Sequence, residues 1–424
     1  MALGASSPAA GPLLPGDEGS TRKRYLSGTH RAVSPGETLA RIRPLMAAME
    51  ITRIADITGL DRIGIPVAVA YRPNSRNLAV SQGKGISAEA AKASAVMETI
   101  EHFHAESITH PLRFGSYEQL RSECPLIEMD GLPFAATATF TEQIRVHWIE
   151  GYDLLRRELL WLPYELVHTD FTLPFPTGSG YFQANSNGLA CGNELLEAVS
   201  AALCEVVERD ALALWHLSSD DVRDARRLRL DSIDDADCRR LLEQYRRAEI
   251  EATIWDITSD TGIACFRCMI AERREDRLHV GYMAQGMGCH PSRAVALLRA
   301  MTEAAQSRLT YIAGSRDDVF RDMYMRLRDP DWAQHRRRQL RPGEGPRDFR
   351  AVPDWNAQTF REDVAWELER LRRGGAERVV AIVLTKPEFG IPVVKIVVPG
   401  LEGYVFDREY RQGARAQRVQ GGRA

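Results

Sequence analysis

From Asn193 to His216 the chain runs NELLEAVSAALCEVVERDALALWH, apolar nearly throughout except for one narrow polar row. Ala and Leu dominate and no Pro or Gly interrupts, which predicts a helix. Asn193, Glu197, Glu205 and Glu208 follow at steps of four, eight and three. On a helix such steps return to nearly the same side. Ala201 completes the row and leaves room above it. Carboxylates on one side repel one another, and the apolar neighbours take them out of bulk water, where a charge needs a partner. Something positive belongs there.

Residues 92–106, KASAVMETIEHFHAE, repeat the pattern. Ser94, Glu98 and Glu101 match Ala201, Glu205 and Glu208 step for step, and each E-x-x-E is followed by a basic or titratable residue, His102 or Arg209. Glutamates three apart share a helix face and can hold one hard cation between them. Two such helices face to face would make a multi-carboxylate site for Mg²⁺, which usually arrives with substrate phosphates. The plainer reading, two solvated acidic faces, conflicts with the Ala, Val, Leu and Met around both stripes. A third helix, PSRAVALLRAMTEAAQSRLTYIAG, is predicted to start with Pro291 near its first position. Arg299, Glu303 and Gln306 share one of its sides. Arg299 either opposes the carboxylates or a phosphate, or pairs with Glu303 along the helix.

Elsewhere the pattern predicts an α+β fold of mixed β-sheets with flanking helices. Ser34, Pro35 and Glu37 form a helix start, and Pro44 is expected to kink or split that helix. ITRIADITG and IGIPVAVAYR read as strands, as do RVHWIEGYDLL and LLWLPYELV around the turn Arg156-Arg157-Glu158. IEATIWDITSDTGIACFRCMIAE and HVGYMAQGMGC are further strands, with a turn at Ser259 to Gly262. A helix near Arg361 to Arg373 precedes the strands RVVAIVLT and IPVVKIVVPG. Gly83-Lys84-Gly85 ends a strand just before the helix that carries Glu98 and Glu101. A glycine turn at a helix N-terminus offers N–H groups to an anion, and Lys84 adds a cation. The Walker A spacing is absent.

Composition narrows the class. With 424 residues, 44% hydrophobic and 27% charged, the chain is globular, and a net charge of -3 gives no general attraction to nucleic acid or anionic membrane. No apolar run reaches transmembrane length. Residues 1–22 read as a flexible N-terminal tail, 23–405 as the main domain, 316–350 as a charged surface segment, and 406–424 as a flexible C-terminal tail. Seven irregularly spaced cysteines point to reduced thiols in a cytoplasm.

GKGISAEAAKASAVMETIEHFHAE, SNGLACGNELLEAVSAALCEVVERDA and RAMTEAAQSRLT together resemble the YcaO family. The likeness runs from about Ser27 to Glu402. YcaO proteins use ATP and Mg²⁺ to phosphorylate a backbone amide oxygen, after which a nucleophile attacks the activated carbon. The resemblance implies a nucleotide–metal site. Its metal shell would be Glu98, Glu101, Glu197, Glu205, Glu208 and Glu303. Its ATP contacts would be Lys84, Ser94, Asn193, Arg209, Arg299 and Gln306. His102 stands where the family more often has Arg, so a charge there would depend on pH. SGTHRAVSP, ITRIADITGLDRIGIPV and QSRLTYIAGSRDD resemble YcaO proteins that form thioamides with a TfuA partner. The implied partners are a peptide or protein substrate, a TfuA-like protein and sulfide or a sulfur carrier; a homodimer stays open. Azoline formation is the alternative reaction, although the proline-rich end common in azoline formers is missing after Arg408. A di-iron carboxylate protein, from the E-x-x-H of Glu101 to His104, and a non-enzymatic scaffold are the rivals from other classes. Cys191, beside the stripe, reads as a packed residue, with sulfur handling as the alternative.

Overall fold

The computed structural model describes residues 12–17, 19, 22–273, 283–327, 329, 331, 340, 345–406 and 410–421. Helix α1 (Pro35–Ile42) begins as predicted: the Ser34 hydroxyl accepts from the Glu37 N–H, and the Glu37 carboxylate accepts from the Ser34 N–H. Pro44 cannot donate to the preceding turn, and the helix gives way to a 3₁₀ turn over Arg43–Leu45. Strands β1 (Arg53–Asp56), β2 (Val67–Tyr71) and β3 (Val80–Lys84) form an antiparallel sheet. The Ser87 side chain then caps α2 (Ala88–Glu106) by accepting from the Ala90 N–H. Strand and helix touch backbone to backbone. A Cβ on Gly83 would sit 2.0 Å from the Ala95 nitrogen, so only glycine fits.

Next come β4 (Leu112–Ser116), the short α3 (Tyr117–Leu120), β5 (Arg145–Asp153) and β6 (Glu158–Pro163), the last pairing with β5 as the sequence predicts. Strand β7 (Leu189–Cys191) feeds α4 (Leu195–His216), the helix of the first acidic row. After α5 (Asp220–Ala225) and α6 (Ala236–Arg247), strands β8 (Ile250–Asp256), β9 (Cys265–Glu272) and β10 (Ala284–Cys289) form a second antiparallel sheet. Helix α7 (Arg293–Ala313) packs on β10, where a Cβ on Gly288 would lie 2.1 Å from the Ala296 carbonyl oxygen. The chain continues through α8 (Arg321–Leu327), α9 (Phe360–Arg373), β11 (Val380–Val383), β12 (Val393–Val397) and α10 (Ala414–Gly421). The third sheet runs β4-β5-β11-β12-β7, with β6 on β5, and α4 crosses β7 and β12. Each of the three polar stripes therefore rides on its own sheet.

Several expectations are corrected. Asn193 precedes α4 by two residues, because Glu194 is the N-cap. Pro291 lies before the N-cap Ser292 of α7 rather than inside the helix. Part of the expected N-terminal tail is packed: Leu13 and Leu14 are buried in the core with Leu196, and Asp17 pairs with Arg361 at 2.6 Å. Residues 414–421 of the expected C-terminal tail form α10, which buries Arg415 and Ala416. Both were masked by small and polar neighbours, while two leucines or one arginine made the contact. Segment 316–350 is only partly surface. Leu340 is buried, and its carbonyl accepts from the Thr253 hydroxyl at 2.8 Å. His279 to Tyr282, and the HRRRQLR run apart from Leu340, lie outside the described residues.

Behind α4, the fully buried Glu367 of α9 accepts from the Ser200 hydroxyl at 2.7 Å and the Cys204 thiol at 3.4 Å through Oε1, while Oε2 has no partner. Burial, with Asp363 nearby, pushes its carboxyl up to about 8. An acid raised in the folded state ionises first in the unfolded chain, so stability is lost as pH climbs from 4.5 toward 8. Glu367→Gln should remove that loss. We expect the variant to exceed wild type in stability at alkaline pH by on the order of a few kcal/mol, with the gap closing in acid. Urea unfolding at both extremes checks it.

Candidate functional site

All twelve residues singled out from the sequence line one cavity of about 430 Å³. From α2 come Ser94, Glu98 and Glu101, from α4 Glu197, Glu205, Glu208 and Arg209, and from α7 Arg299, Glu303 and Gln306; Lys84 ends β3, and Asn193 precedes α4. The helical periodicity that sets these residues on single faces is what brings them together.

Their partners divide them. The Glu303 carboxylate accepts from Lys84 Nζ at 2.7 Å and from the Met287 N–H at 3.1 Å. Glu197 accepts from the Ala32 N–H at 3.0 Å and from Asn193 Nδ2 at 3.2 Å, with Arg31 Nε 3.6 Å away. Glu98 accepts from the Gln82 N–H at 3.2 Å, and Glu101 from the Cys191 N–H at 2.9 Å. Arg209 lies 3.7 Å from Glu205 and 3.4 Å from Glu208, with its guanidinium over the Tyr404 ring. Gln306 Nε2 donates to the Gln82 carbonyl at 2.9 Å. Lys84 is thus tied to Glu303, and Gly83 serves the helix contact. The glycine turn is less an anion cradle than a packing device.

The electrostatics follow from crowding without water. Burial raises the carboxyls of Glu98, Glu205 and Glu208 above their ordinary range, and nearby arginines oppose it. Burial pushes Glu101 up to about 8, with Glu98 and Glu205 adding to the rise. At Glu303 burial acts upward too, yet Lys84 and Arg209 outweigh it and hold the carboxyl below its usual value. Glu208 Oε2 and Arg299 Nε are buried without a hydrogen-bond partner among the described residues. An orphan carboxylate oxygen fits a cation, and an orphan guanidinium N–H fits an anion. No group of three or more His, Cys, Asp or Glu among the described residues is arranged to hold a metal by itself. Mg²⁺ takes one or two protein carboxylates and completes its shell from phosphates and water.

Several sequence alternatives resolve here. His102 lies on the cavity wall with Nδ1 3.1 Å from Asn77 Nδ2. Burial lowers its pKa to about 4, so the ring is neutral at pH 7. Its neighbour His104 turns away, packing edge-on against Phe389 and bonding the Ile100 carbonyl. Burial, then Glu101, holds the Cys191 thiol well above its ordinary value, and Sγ donates to the Met97 carbonyl at 3.2 Å. It is a packed residue rather than a nucleophile. Sequence reasoning missed Arg31 and Arg316, which also line the cavity. Arg316 is held by Asp318 at 2.8 and 2.5 Å and follows Gly314, whose left-handed φ of 57° ends α7. The C-cap glycine was the available signal: it fixes where the next residues turn.

The chain resembles known proteins along most of its length. A family profile described as YcaO cyclodehydratase, ATP- and Mg²⁺-binding, matches residues 82–402. A Rhizobium leguminosarum bv. trifolii protein from the tfuA 3' region is 38% identical over 91% of this chain and 92% of its own. YcaO from Methanopyrus kandleri, solved with AMPPCP and Mg²⁺, superposes with a TM-score of 0.72 at 24% identity, over 93% of this chain and 99% of that one. A heterocyclase solved with substrate and cofactor gives a TM-score of 0.77 at 22% identity over 95% of this chain. This chain spans 56% of that heterocyclase.

Proposed function

Because this chain belongs to the YcaO family, we propose that it activates a backbone amide of a peptide or protein by O-phosphorylation, for thioamide formation with a TfuA-like partner. ATP and Mg²⁺ are its cofactors. The observation that carries this reading is the single cavity that gathers carboxylates from three helices with Lys84, Arg209 and Arg299. Bound there, ATP and Mg²⁺ supply a phosphoryl group that turns the amide oxygen into a leaving group.

Glu98, Glu101, Glu205 and Glu208 would hold Mg²⁺ ions, one or two carboxylates to each, with Glu197 and Glu303 tied to protein donors at the edge of the shell. Arg209, Arg299, Lys84, Ser94, Asn193 and Gln306 would position the nucleotide. Phosphoryl transfer depends on positioning and on neutralising phosphate charge, and a buried guanidinium acts there without reorganisation. The neutral His102 adds no charge to this set.

The relative from the tfuA 3' region supports thioamidation. The likeness to a heterocyclase supports the second reading, azoline formation. Incubation with ATP, Mg²⁺, sulfide, a TfuA-like protein and candidate peptides separates them. We expect a gain of about 16 Da, sulfur for oxygen, whereas azoline formation loses about 18 Da as water leaves the activated amide. An absence of ATP turnover under all these conditions would favour a scaffold instead.

A further inference from the structure

A second cavity, of about 710 Å³, opens on the other side of the same charged cluster. Glu98, Glu205, Glu303, His102, Arg209 and Arg316 belong to both cavities and form the wall between them. The chemistry differs across that wall. Among the described residues, the unpartnered buried atoms of the first cavity are the ionic Glu208 Oε2 and Arg299 Nε and one neutral donor, Gln82 Nε2. In the second, the buried atom without a partner among the described residues is the neutral carboxamide oxygen of Asn187.

Asn187 is held firmly in this position. Its N–H donates to Asn185 Oδ1 at 3.0 Å, and the Asn185 carbonyl accepts from the buried Lys395 Nζ of β12 at 2.6 Å. A fixed neutral acceptor is matched by an N–H donor. A phosphate or carboxylate, which brings only acceptor oxygens, would leave it unmatched. Met287, Tyr311 and Met323 supply an apolar floor, and methionines adapt to side chains of varied shape. Phe171 stands in the lining, and beyond it Leu173 and Phe175 are 78% and 52% exposed. Exposed apolar residues in succession outside a cavity mark a contact path rather than ordinary surface.

We propose that the second cavity is the acceptor site and takes an extended peptide. One backbone N–H of the peptide donates to Asn187 Oδ1. Its side chains lie on Met287, Tyr311 and Met323, and its flanking residues leave over Phe171 to Phe175. This rests on the reading of the first cavity as the nucleotide site, and adds where the second reactant enters and what holds it.

A pool of capped octapeptides of random sequence, each carrying one photo-methionine, tests it. After irradiation, label is expected on the segments that hold Phe171, Tyr311 and Met323, and AMPPCP with Mg²⁺ should leave it in place. Asn187→Leu should lower that label by about fivefold, the worth of one hydrogen bond. Ala184→Trp, which fills the cavity from another part of its lining, should do the same with unchanged circular dichroism. Label no greater than that from free photo-methionine, label displaced by AMPPCP, or either variant labelling like wild type would overturn the proposal. Failure of AMPPCP to bind would instead sink the nucleotide reading, and the label pattern would still decide the acceptor site.

Discussion

Glu205→Ala is expected to lower ATP turnover by at least about a hundredfold while the fold survives. The side chain is 23% exposed toward the cavity, and its nearest charged contact is a loose 3.7 Å approach to Arg209. Its loss removes no core packing, and Arg209 keeps Glu208 and the Tyr404 ring. The effect should therefore appear in metal-dependent steps. Phosphate release measured with peptide present should fall, Mg²⁺-dependent AMPPCP binding should weaken, and the melting temperature should hold. An unchanged rate would show that the acidic row of α4 does not serve the nucleotide. Glu98→Ala on α2 is the matching variant, although it also strips an acceptor from the Gln82 N–H.

How much of this was readable beforehand depends on the kind of element involved. Helical rows were legible, because a period of 3.6 residues writes a face directly into the sequence. Glu98 and Glu101, Glu205 and Glu208, and Arg299 and Glu303 could be grouped that way. Their meeting across 219 residues, as in Lys84 with Glu303, could be inferred only from the repeat of the motif and the family resemblance. Arg31 and Arg316 reach the cavity from loops, where no period exists and position is set by distant packing. Asn193 was assigned to the helix, yet it stands just before it, where its amide ties Glu197 to Thr38. The docked ends were missed for a related reason: Leu14 and Arg415 are isolated signals in otherwise unpatterned sequence.

The second large effect concerns one of those ends. Asp210 follows Arg209 in α4 but points the opposite way, into the core, where it is fully buried. Arg415 of α10 binds it twice, Nε to Oδ1 at 2.8 Å and Nη2 to Oδ2 at 3.0 Å, and the Glu402 N–H donates to it at 3.0 Å. Burial raises the Asp210 carboxyl, and Arg415 opposes the rise. Asp210→Ala would leave the guanidinium in the interior with the exposed Asp260 and the Gly374 carbonyl as its partners among the described residues. Breaking a buried pair from one side typically costs about 3–5 kcal/mol. Guanidinium unfolding should show a loss of that size, and limited proteolysis should cut first near α10. Removing Arg415 as well should restore part of the stability, since the stranded charge leaves too. A loss under about 1 kcal/mol, the scale of an exposed pair, would mean that α10 is not anchored by this contact.

With no side chain between backbone and backbone at Gly83 and Gly288, α2 and α7 lie at backbone contact on their sheets. Crowded negative charge in most settings disperses by small movements of its carriers. Here close packing limits that escape, and relief comes from Lys84, Arg209 and Arg299 and from protons or divalent ions. A single added methyl at Gly83 or Gly288 would meet backbone at 2.0 or 2.1 Å and push its helix off its sheet, so it should disturb the acidic rows without altering any charged residue.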